Sequence, residues 1–132
     1  MASGRDAHRA AQQAVASLGK ALSRRARSGC ELCGESVGCR PLLVPPAPED
    51  PDIEHAILAC ERCREALTGK RRPGSDADYR FLETVMWSDV APAQVAAVRL
   101  LRALAADGVQ WAAAANEGLW LDDAIAHRVE AV

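Results

Sequence analysis

Aromatic side chains are scarce in this chain: its 132 residues include three Trp, one Tyr and one Phe. A core built mainly on ring packing is thereby excluded. Alanine carries much of the apolar fraction instead, and alanine favours helix. No apolar run approaches the roughly 20 residues of a membrane-spanning helix, so no membrane role is expected. The opening stretch MASGRDAHRAAQQAV lacks an apolar signal core, and a cytoplasmic protein is the expectation. No glycine-rich phosphate loop occurs, and no motif sets out a Ser/His/Asp or Cys/His catalytic group. The three histidines, His8, His55 and His127, fall in separate segments, each with the reading of a surface or satisfied residue.

Five cysteines stand against these absences. Structural disulfides are rare in a reducing compartment, where paired cysteines more often hold metal. Cys30 and Cys33 are spaced C-x2-C, as are Cys60 and Cys63, with 26 residues between the pairs. Such a knuckle points two thiolates at one ion, and two knuckles complete a tetrahedral shell with metal–sulfur distances near about 2.3 Å for zinc. Gly34 permits the tight turn after the first pair. Two disulfides or a redox pair also fit the count, but the compartment and the lack of a βαβ pattern argue against them; a full sulfur set accepts iron as well as zinc, and one structural Zn2+ is the expectation. A shell closed by four protein ligands leaves no position for substrate, so no catalytic residue is assigned. Arg40, Arg62 and Arg64 lie near enough in sequence to offset the site's negative charge. Cys39 is left over and reads as a small, partly buried apolar residue. His55 precedes the second strand and could approach the zinc edge.

The formal charge of −2 is unevenly spread: residues 1–29 carry Arg5, Arg9, Lys20, Arg24, Arg25 and Arg27 against Asp6, whereas residues 73–132 hold 9 acidic and 4 basic side chains. The basic arm could touch nucleic acid or the acidic half of its own chain.

The spacing of Ala7, Ala10, Ala14, Leu18 and Leu22 predicts one basic helix over 5–27, stopped by Gly29, so that residues 1–29 form an N-terminal unit. Residues 30–69 form the four-cysteine zinc module: apolar runs at Pro41–Val44 and Ala56–Ala59 read as strands of a hairpin around the loop PPAPEDPD, and Glu61–Leu67 as a short helix. Residues 70–79 read as a polar linker. Residues 80–132 read as a helical region packing on the zinc module. It comprises a short helix ending near Trp87, an amphipathic helix Pro92–Ala106 begun by Ser88 or Asp89, a turn of helix at Trp111–Ala115, and a last helix capped by Asp122. The expected class is α+β, mostly α: a small zinc-ribbon or treble-clef-like module with a β-hairpin, flanked by helices.

The segments CELCG (Cys30–Gly34), LVPP (Leu43–Pro46), ILACERC (Ile57–Cys63), MWSDV (Met86–Val90), the helix Gln94–Leu101 and LWLDD (Leu119–Asp123) occur in an order that resembles PhnA-like (YjdM-type) proteins, small bacterial zinc-ribbon proteins associated with alkylphosphonate utilisation genes. The resemblance covers roughly residues 28–127 and implies an N-terminal zinc module plus helical region, without the β-rich C-terminal PhnA domain of longer relatives. Those relatives tend to carry a tryptophan and a cysteine where this chain reads Tyr79-Arg80-Phe81. The order of knuckles and strands is also similar to the treble clef of HNH nucleases. Where a histidine pair ends the first strand there, this chain has Val44-Pro45-Pro46, and proline can neither ligate metal nor act as a base. The resulting expectation is a zinc-binding, non-enzymatic binding or regulatory module. A protein partner would dock on the helix Pro92–Ala106 and the tryptophans. Nucleic acid, less favoured, would use Arg24, Arg25, Arg27, Lys70, Arg71 and Arg72.

Overall fold

The computed structural model describes residues 4–70 and 77–131. Most of the expected linker, with Arg71 and Arg72, lies outside the described residues, as does the His8 side chain. The chain runs α1 (Gly4–Ala16), α2 (Gly19–Ala26), β1 (Arg40–Leu43), β2 (Ala56–Ala59), α3 (Glu61–Thr68), α4 (Leu82–Val85), α5 (Ala91–Ala106), α6 (Gln110–Glu117) and α7 (Asp123–Glu130), with single 3-10 turns before β2 and α4. It is mostly helical, with one small antiparallel hairpin.

The expected single N-terminal helix is broken. Ser17 and Leu18 form a turn in which the Leu18 N–H donates to Val15 O at 3.1 Å, and α2 restarts at Gly19. Serine and glycine are weak helix formers, and the Ser17 hydroxyl bonds back to Ala14 O at 2.7 Å, competing with the helical ladder. A side chain at position 19 would meet the ring of Pro41 in β1 at 3.8 Å, so the break lies where the arm crosses the hairpin.

The hairpin pairs Arg40 with Ala59, Pro41 with Leu58, Leu42 with Ile57 and Leu43 with Ala56. All four residues of β2 are buried, and alternate side chains face opposite ways. Ala56 and Leu58 pack on Leu22 of α2, whereas Ile57 and Ala59 join the main core under α5. The strand is thus the middle layer between the N-terminal arm and the helical region. Helix α5 is the centre of the main core: Val95, Ala96, Val98, Leu101 and Leu104 are buried, with α6 and α7 packed around them. Pro92 lies within its first turn, as expected, but the extended residue before the helix is Val90 rather than Ser88 or Asp89. The Ser88 hydroxyl instead accepts the Val90 N–H at 3.0 Å. Asp122 does cap α7, accepting the Ile125 N–H at 2.8 Å.

Candidate metal centre

The two C-x2-C pairs meet. One sulfur from each of Cys30, Cys33, Cys60 and Cys63 lies within 4.8 Å of all the others, and the Cys33 and Cys60 sulfurs are 3.5 Å apart. A tetrahedral zinc site with Zn–S near 2.3 Å has sulfur–sulfur edges of about 3.8 Å, so the donor set matches one ion in size as well as in chemistry. All five cysteines are free thiols.

The first knuckle is a tight loop off the end of α2. Its ends are closed by the Cys30 N–H on Glu35 O at 2.8 Å and the Gly34 N–H on Cys30 O at 2.9 Å. Gly34 has φ +84°, a conformation that side chains rarely adopt. The turn aims the N–H groups of Leu32 and Cys33 at the Cys30 sulfur, at 3.4 and 3.5 Å. The second knuckle is the junction of β2 and α3. Cys60 is the extended residue before the helix and Cys63 lies in its first turn, where the backbone N–H groups favour a thiolate.

Within the cluster the thiols differ in how readily they ionise. A hydrogen bond from the Cys63 thiol, with help from backbone N–H groups of Cys33, Cys60 and Leu32, outweighs burial and lowers Cys30 to about 4. Cys63 is pushed far up by that same hydrogen bond, by burial and by the neighbouring thiolates. Cys60 is raised, chiefly by burial. Four thiols packed this closely cannot all ionise unless a cation joins them. Of the three arginines expected to offset the charge, Arg62 has the direct role. Burial works against its charge, but a hydrogen bond to Cys33 and the nearby thiolates hold it above its ordinary value. Its guanidinium also lies over the Tyr79 and Phe81 rings, at 5.3 and 5.5 Å from their centres. Arg64 braces the backbone, donating to Gly38 O at 2.6 Å and Ala59 O at 2.7 Å. Arg40 is exposed at the start of β1.

Two residues essential to the site's frame were not singled out from sequence for this role. Glu31, inside the first knuckle, is almost fully buried, with its side chain 5% exposed, and takes a two-pronged bond from Arg25 of α2 at 2.6 and 2.9 Å. The same carboxylate accepts the Leu58 N–H at 2.8 Å, and the Glu31 N–H donates to Leu58 O at 2.8 Å. Leu58 therefore turns both backbone groups away from β1, so Pro41, which has no N–H, can sit opposite it without breaking the ladder. Arg25 goes on to Ile53 O and Ala56 O, at 2.5 and 2.8 Å. One ion pair thus joins α2, the first knuckle and the strand that leads into Cys60. The only sequence signal was an acidic residue inside a cysteine knuckle beside a basic helix.

Cys39 lies outside the cluster. Its thiol donates to Glu35 O at 2.9 Å, and burial raises its pKa. His55 does not reach the sulfurs. It sits beside Val44 at the far end of β2, about 16 Å along the strand from Cys60 at ~3.3 Å per residue, and its ring is bonded to Asp52 at 2.7 Å. Among the described residues no other group of metal-ligating side chains is gathered, and no helix is long and apolar enough to cross a membrane. Arg25, counted above as a nucleic-acid contact, is engaged inside the protein. The α5 face expected to dock a partner is the protein's own core. Trp87 and Trp120 are free of that core, 50% and 75% exposed, and line one groove with Asp89 and Asp122. No protein-family model, no curated protein and no solved structure matches the chain. What the geometry establishes is a four-cysteine site fit for one structural metal ion.

Proposed function

We propose that Cys30, Cys33, Cys60 and Cys63 hold one structural Zn2+ in a zinc-ribbon, treble-clef-like module, and that the chain is a PhnA-like, non-enzymatic binding or regulatory protein of the bacterial cytoplasm. The carrying observation is the convergence of four sulfurs within 4.8 Å. Bound there, the ion supplies cross-linking and charge neutralisation. The four thiolates fill a tetrahedral shell, and Arg62 offsets the remaining negative charge. The ordered motifs from CELCG to LWLDD support the family reading and its link to alkylphosphonate genes. Partner binding fits the exposed Trp87–Trp120 groove, whose carboxylates suit a partial positive charge on the partner. Zinc supplies roughly 10–16 kcal/mol of apparent binding energy in small peptides, and much of this module is loop. Stripping the metal from the full chain with a strong chelator should therefore abolish amide protection over residues 30–69 first, with α5 to α7 retaining theirs. Unchanged protection after complete metal removal would refute a structural zinc.

A further inference from the structure

A second site stands apart from the sulfurs. Between β1, the end of α3 and α5 lies a cavity of about 400 Å³, walled by Leu42, Leu43, Val44, Pro45, Leu67 and Leu100, with Arg99 its one charged wall residue among the described residues. Arg99 is held in place from behind. Its Nη2 donates to Arg128 O at 2.8 Å and Ala131 O at 3.3 Å, at the end of α7. Among the described residues its buried Nε has no acceptor, and neither has the Nε of Arg128. Among the described residues no carboxylate stands within ion-pair distance of Arg99, and the charge that acts on it is Arg128, of the same sign. A guanidinium on the wall of an aliphatic cavity with no carboxylate beside it among the described residues is an unbalanced arrangement, because charges drawn partly out of water are normally paired. An apolar pocket with a single fixed polar group is the usual form of a small-ligand site.

We propose that this cavity binds an aliphatic carboxylate, with its head at the Arg99 guanidinium and its alkyl chain along Leu42–Pro45, Leu67 and Leu100. A planar guanidinium suits a carboxylate, and the aliphatic walls suit a methylene chain. The site shares no ligand residue with the cysteine cluster, so it stands or falls separately from the zinc reading.

Calorimetric titration of the metal-loaded full chain with butanoate, hexanoate and octanoate tests this. Affinity should rise about fourfold per added methylene until the cavity is filled. Octanoate should shift the amide signals of Leu43, Val44, Leu67 and Leu100. Arg99→Gln should weaken octanoate by about tenfold or more, with 1-octanol unaffected. Because Arg99 also holds the end of α7, Ala103→Phe serves as a second variant: it adds bulk at the cavity wall and leaves the guanidinium in the chain, and should weaken octanoate binding with metal content unchanged. The proposal is overturned if octanoate does not bind, if octanol binds as tightly, if affinity ignores chain length, or if a folded Arg99→Gln or Ala103→Phe protein binds as the parent does.

Discussion

Replacing Cys63 with alanine should remove tight metal binding and unfold the hairpin module. Cys63 is fully buried, in the first turn of α3, and links that helix to the loop that carries Cys30. Three remaining sulfurs cannot close a tetrahedral shell. The apparent zinc contribution of about 10–16 kcal/mol is comparable to the whole stability of an ordinary domain, about 5–15 kcal/mol. Losing even half of it leaves the proline-rich loop and the two four-residue strands without enough support. Zinc per chain should fall from about one to near zero, and amide protection of Ile57 and Leu58 should vanish. Cys39→Ala is the internal control: its thiol donates to Glu35 O and lies outside the cluster, so metal content should stay at about one. A Cys63→Ala protein that keeps its zinc and its hairpin would show that the other sulfurs do not depend on it.

The second large effect belongs to Glu31. Its carboxylate, 5% exposed, balances Arg25, 18% exposed, and accepts the Leu58 N–H. Glu31→Ala leaves a nearly buried guanidinium without its anion and a strand N–H without its acceptor. Breaking one side of such a pair typically costs about 3–5 kcal/mol, well above the ~0–1 kcal/mol of a surface ion pair. Urea unfolding with zinc in excess should show a loss of about 3 kcal/mol or more. The double change Arg25→Met with Glu31→Met should recover part of it, since it removes both charges and restores apolar volume. A loss within the surface-pair range would mean that the clamp does not brace the knuckle.

Local patterns were legible where the signal was local. The C-x2-C pairs and their 26-residue separation located the four sulfurs, and the proline-rich loop between two apolar runs located the hairpin. Asp122 before an amphipathic segment marked the start of α7. What could not be read depended on partners distant in the chain. Arg25 read as a free cation because its acceptors at residues 53 and 56 come close only through the α2–β2 packing. The small apolar face of residues 5–27 runs past Ser17 and Gly19 without interruption, and the break there comes from their weak helix propensity and the Ser17 hydroxyl bond to Ala14 O. Helix α5 looked like a docking surface because amphipathicity shows that a face is covered, not by what. Here α3, α4, α6, α7 and β2 cover it. Arg62, Arg64 and Arg40 were equivalent in sequence; Arg40 falls at the exposed start of β1, and the turn of α3 separates Arg62, which faces the sulfurs, from Arg64, which faces the Gly38 and Ala59 carbonyls.

X-ray absorption at the zinc edge of the purified full chain tests the central claim most directly. Four sulfur scatterers at about 2.3 Å and no nitrogen or oxygen neighbour are the expected result. A shell with three or fewer sulfurs, or a folded protein that carries no metal and titrates as free thiols, would contradict it.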